Sequence, residues 1–68
     1  MLNKNKLLGR MAEQGYTQKM LADELGIGTN TMNSKINGKS SFTLEQADCI
    51  CAILGITEAY DKGEIFFA

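Results

Sequence analysis

Residues 17–39, TQKMLADELGIGTNTMNSKINGK, decide the fold. Thr17 is a suitable N-cap, and Met20, Leu21, Ala22 and Leu25 give the helix that follows an apolar face. Gly26 ends that helix, and Ile27 is expected to plug the core at the turn. Gly28 or Thr29 then caps a second helix running to about Ile36, with Met32 and Ile36, four apart, as its buried positions. Asn37-Gly38 terminates it. Gln18, Ala22 and Gly26 are spaced four and four. The small side chain of Ala22 lets the two helices cross steeply at close range. Gly26 falls where the chain must turn with positive φ, which costs glycine least.

Three further helices are expected around this pair. The first runs from about Leu2 to Gln14, with Leu7, Leu8, Met11 and Ala12 as its apolar stripe and Gly15 as its stop. Thr43-Leu44-Glu45-Gln46 is a capping box for another, whose Leu44, Ala47, Cys51 and Leu54 repeat at helical spacing beside Ile50. Gly55 closes it and Ile56 packs back. Thr57 to Asp61 is expected as a short last helix capped by Thr57. The apolar end, Ile65-Phe66-Phe67, either folds onto the core or forms a partner surface. The expected fold is all-α, a compact bundle of about five short helices. Residues 1–68 are read as one domain, with 57–68 as a C-terminal packing or dimerisation tail.

At 68 residues, a single small core contributes only roughly 3–5 kcal/mol of net stability. No apolar run approaches the length of a membrane span, and no charged-then-apolar start marks a signal peptide. A soluble, cytoplasmic domain with no membrane association is expected. The net charge of −1 does not suggest nucleic acid, but its distribution does. Residues 1–42 carry six cations against three carboxylates, net +3, and residues 43–68 carry one cation against five carboxylates, net −4. A basic first part and an acidic second part suit a chain with one phosphate-facing side.

Catalytic chemistry has few candidates. The chain has no histidine, the commonest general base and metal ligand. Its two cysteines, Cys49 and Cys51, point to nearly opposite sides of a helix, so they neither pair nor share a metal, and Cys51 suits the core. No glycine-rich loop leads to a Walker lysine. Neither an enzyme nor a cofactor, metal or small-molecule ligand is expected.

The two helices of residues 17–39 have the layout of a helix-turn-helix, whose second helix enters the major groove of double-stranded DNA. With Met32 and Ile36 turned inward, Thr29, Asn30, Asn33 and Ser34 face outward and are the candidate base contacts. Asparagine can bond an adenine edge in bidentate fashion, and Thr or Ser can donate or accept. Phosphate contacts are expected on either side. Thr17 and Gln18 begin the first helix of the pair, where free N–H groups and the positive end of the dipole favour an anion. Gln18 can also brace the recognition helix. Asn37, Lys39, Ser40 and Ser41 form a polar, basic loop, and Lys35 and Arg10 add charge. Lys4 and Lys6 are read as solvated surface charges.

Thr17, Gln18, Ala22, Gly26, Met32, Asn37, Gly38 and Lys39 make the segment resemble the lambda-repressor and Cro type of helix-turn-helix, across about residues 5 to 56. The run Lys35-Ile36-Asn37-Gly38-Lys39-Ser40, followed by Phe42-Thr43-Leu44, is similar to small phage-type regulators. The resemblance implies a five-helix bundle, bacterial or prophage-encoded, that binds a near-palindromic operator as a homodimer. Many relatives pair an arginine on the first helix with a glutamate near the end of the third. The matching positions here are Met11 and Ile36, so an apolar contact is expected to replace the ion pair. Lys35 stands where relatives often have Ile or Leu. Either the third helix is rolled so that Ile36 takes the core role, or Lys35 snorkels toward phosphate. The function expected is transcriptional regulation, as a repressor or Cro-like protein. The competing reading is a protein-interaction module, an antitoxin or anti-repressor, that uses the tail to bind a partner chain.

Overall fold

Local capping signals set most of the helix boundaries. In the computed structural model, which describes residues 1–67, five helices follow in order. They are α1 (Lys4–Glu13), α2 (Gln18–Leu25), α3 (Thr29–Ile36), α4 (Leu44–Leu54) and α5 (Ala59–Phe66), with no strand among the described residues. Thr17 caps α2 by accepting from the Met20 N–H at 3.1 Å. The capping box of α4 is complete: Thr43 Oγ1 accepts from the Gln46 N–H, and Gln46 Oε1 accepts from the Thr43 N–H, each at 3.0 Å. Together these bonds satisfy donors that the first turn of a helix leaves open.

The first four helices stop in the same way. Just past each one stands a glycine with φ between +69° and +81°. The N–H of the next residue then reaches back five residues: Tyr16 to Met11, Ile27 to Ala22, Lys39 to Ser34 and Ile56 to Cys51, at 2.8–3.0 Å. This is the Schellman type of stop, in which the glycine reverses the chain and leaves its successor beside the helix it has just left. At three of the stops the successor is apolar. Ile56 is buried, and Tyr16 and Ile27 are half-buried against the core. At the fourth it is the exposed Lys39.

The core takes Leu7 and Met11 from α1, Leu21 and Ala22 from α2, and Met32 and Ile36 from α3. Ala47, Ile50, Cys51 and Leu54 from α4, then Ile56, Ile65 and Phe66, complete it. α2 packs on α3 and α4, and α1 packs on α5. Ala22 has no exposed surface, in keeping with the small side chain needed where α2 meets its neighbours. Met11 and Ile36 are 2% and 1% exposed in the same cluster, as an apolar replacement for an ion pair requires. Ile36, not Lys35, takes the core position of the last turn of α3.

Several expectations are corrected. α1 begins at Lys4 instead of about Leu2, because the Asn3 side chain accepts from the Lys6 N–H at 3.2 Å and sets the cap there. Met20 and Leu44 are exposed, not buried. Met20 lies off the Leu21–Leu25 edge of α2, and Leu44 stands in the first turn of α4, ahead of the buried stripe. The last helix is capped at Glu58, not Thr57, and continues past Asp61 to Phe66. Burial of Ile65 and Phe66 holds it against α1, where the Asn3 N–H donates to the Ile65 carbonyl at 2.6 Å. The tail therefore folds onto the core as far as Phe66, while Phe67 is 61% exposed. Ala68 lies outside the described residues.

Candidate nucleic-acid interface

Met32 and Ile36 turn one side of α3 into the core and so fix what the other side presents. Thr29, Asn30 and Asn33 are exposed, and Ser34 is half-buried. Thr31, which sequence reasoning passed over, is exposed as well. Gly28 caps α3 with no side-chain hydrogen bond, so the first-turn N–H groups of this helix are not taken by a cap. At the start of α2, Thr17 is exposed and Gln18 half-buried.

The loop after α3 is anchored at both ends. Lys35 Nζ donates to the Ser41 carbonyl at 2.7 Å and lies 5.8 Å from the centre of the Phe42 ring, a cation–π arrangement. Phe42 meets Phe66 of α5 edge-on, with ring centres 6.0 Å apart at 85°. The last helix thereby braces the loop that follows α3. Within the loop, Asn37, Lys39, Ser40 and Ser41 are all exposed.

The electrostatics differ from the sequence expectation in one respect that matters. Arg10, expected to contact phosphate, is directed to Asp61, with Nη2 to Oδ2 at 3.0 Å. Lys6 pairs with Glu64 at 3.3 Å, Lys19 with Asp23 at 3.4 Å, and Lys62 with Asp48. Each of these cations is neutralised by a carboxylate. Among the described residues, Lys4, Lys35 and Lys39 are not. Lys4 Nζ donates to Asn37 Oδ1 at 2.7 Å, Lys35 is tied to the Ser41 carbonyl, and the Lys39 ammonium has no partner among the described residues. All three lie at the C-terminal end of α3 or in its loop, or reach it from α1. Lys4 was read from sequence as a plain surface charge. Its bond spans 33 positions of chain, and no local pattern announces it.

Shifted titrations lie elsewhere. Burial pushes the Cys51 thiol up. Hydrogen bonds from Tyr60 and Lys6 hold Glu64 below its ordinary value, and the same Tyr60–Glu64 bond raises the tyrosine. None of these groups belongs to α3 or its loop.

The model of the Cro/C1-type helix-turn-helix DNA-binding domain matches residues 6–59, from the first turn of α1 to the first residue of α5. The chain belongs to this family. It is an all-α, helix-turn-helix DNA-binding domain, with α2 and α3 as the motif and α3 in the place of the recognition helix. Comparison with curated proteins and with solved structures found no match. No helix among the described residues is long and apolar enough to cross a membrane.

Proposed function

We propose that this protein is a sequence-specific transcriptional regulator of the repressor or Cro-like kind, acting as a homodimer on a near-palindromic operator. The observation that carries this reading is the gathering of Lys4, Lys35 and Lys39, which meet no carboxylate among the described residues, at one end of an α3 whose outer face is short and polar. A phosphate backbone rewards cations that the fold has not already neutralised. Short amides and hydroxyls on a helix suit base edges in the major groove.

In this reading Thr29, Asn30, Asn33 and Ser34 face the bases. Thr17, Gln18, Asn37, Lys39, Ser40 and Ser41 meet phosphates on either side and hold α3 in register. Lys35 strengthens the local field from its seat on the loop. Arg10, expected among the phosphate contacts, is given a role in the α1–α5 seam in this reading, which its 3.0 Å ion pair with Asp61 supports.

Titration of duplex binding against salt tests the reading, followed by selection from random duplexes. Binding is expected to weaken with a log–log slope of about −0.9 for each phosphate neutralised. Selected sequences are expected to show two half-sites about one helical turn apart. Absence of duplex binding at moderate salt would overturn the proposal.

A further inference from the structure

Lys4, Asn37 and Asn33 form a directed hydrogen-bond relay from α1 to the outer face of α3. Lys4 Nζ donates to Asn37 Oδ1 at 2.7 Å, and Asn37 Nδ2 donates to Asn33 Oδ1 at 3.0 Å. Chemistry fixes the sense of this chain. An ammonium only donates, so the Asn37 atom that faces it is the carbonyl oxygen. The Asn37 amide nitrogen is then turned to Asn33, which answers with its own oxygen. The Asn37 backbone N–H also donates to the Asn33 carbonyl at 3.0 Å, so the two residues are joined twice. One lone pair of the Asn33 oxygen is thereby engaged, while its NH2 group keeps both hydrogens to offer outward. Lys4 precedes the span that the family model matches, so the origin of the relay lies outside the shared motif.

We propose that Lys4 is a positioning residue for base recognition. Through Asn37 it sets the donor sense of Asn33, so that Asn33 donates to the acceptor edge of guanine, O6/N7. Adenine, whose bidentate contact needs the Asn33 oxygen to accept from its N6 amino group, is disfavoured because Asn37 already holds one of the two lone pairs of that oxygen. This inference rests on the regulator reading above.

Selection of bound duplexes from a random library, run on the full chain and its variants, tests it. Wild type is expected to prefer a G·C pair over an A·T pair by roughly tenfold or more at one position of each half-site. Asn33→Ala, Asn37→Ala and Lys4→Met are each expected to reduce that preference to about threefold or less at the same base pair. Lys4→Arg, which also only donates, is expected to keep it. Thermal melts of every variant ensure that folded proteins are compared. An A·T pair at the Asn33-dependent position overturns the assignment, as does a preference indifferent to Lys4→Met. Uniform weakening on all sequences, with that base pair intact, marks Lys4 as a phosphate contact and overturns it too. A wild type that selects no sequence overturns the regulator reading itself. A wild type with a clear operator that ignores Lys4 overturns only the relay.

Discussion

Along the seam between α1 and α5, Lys6 and Arg10 meet Glu64 and Asp61 at 3.3 and 3.0 Å, whereas around the end of α3 Lys4, Lys35 and Lys39 meet no carboxylate among the described residues. The two regions draw on the same residue types. They differ in what the fold places opposite them. Along the seam, the positive charge closes the bundle. At the end of α3 it rests, among the described residues, on neutral groups or on solvent, which suits the phosphate contacts proposed above. A count of basic residues does not separate these uses, and a record of each cation's partner does.

The largest way to break this comparison is to remove what holds α3 on the core. Ile36 is 1% exposed, and Ile36→Ala is expected to cost about 2–5 kcal/mol. A domain this small has roughly 3–5 kcal/mol to lose. Far-UV circular dichroism should show a largely unfolded chain at 37 °C (roughly body temperature) or a steep fall in the melting temperature. A melt close to wild type would mean that α3 is not supported in the way described.

Next in size is Lys39→Ala. Binding to all duplexes is expected to weaken alike, with the salt slope reduced by about one. Arg10→Ala, measured beside it, should leave the slope unchanged. Equal effects from the two would erase the distinction between the regions.

The same Arg10→Ala variant should instead register as stability. Its ion pair is partly exposed, so solvent screening limits the cost to about 1 kcal/mol or less in chemical denaturation. The smallest effect concerns Glu64. Its folded-state value is lowered, first by the Tyr60 hydrogen bond and then by Lys6. The folded chain therefore binds fewer protons than the unfolded chain between the two values. The contribution is present above the ordinary carboxylate range and is lost as the pH falls through the lowered value. Glu64→Gln should flatten that part of an acid titration followed by melting temperature, and an unchanged profile would show that the seam carries no such linkage.

The helix pair at the centre was legible because its signals are local. Thr17, Thr43-Gln46 and the glycines after each helix act within a few residues of chain, and their geometry is as read. α5 was not legible in the same way. Gly63 weakens the helical pattern after Asp61, and only the burial of Ile65 and Phe66 against the rest of the bundle carries the helix on to Phe66. The charge split was legible as a count and misleading as a map. Its basic and acidic parts meet along the α1–α5 seam, so that much of the apparent asymmetry cancels there. Lys4 was misplaced for the same reason: its partner is remote in sequence.

The bond from the Asn3 N–H to the Ile65 carbonyl joins positions near opposite ends of the described chain. Closing so long a loop is slow and late compared with docking α2 on α3, which are neighbours in sequence. Folding is expected to begin with the helix-turn-helix pair and to finish with the seam. In native-state hydrogen exchange the Asn3 amide should open before those of α3. Thermal fraying would then start at the seam, and the Lys4–Asn37 bond and the loop that Phe66 braces would loosen before α3 itself loses its shape.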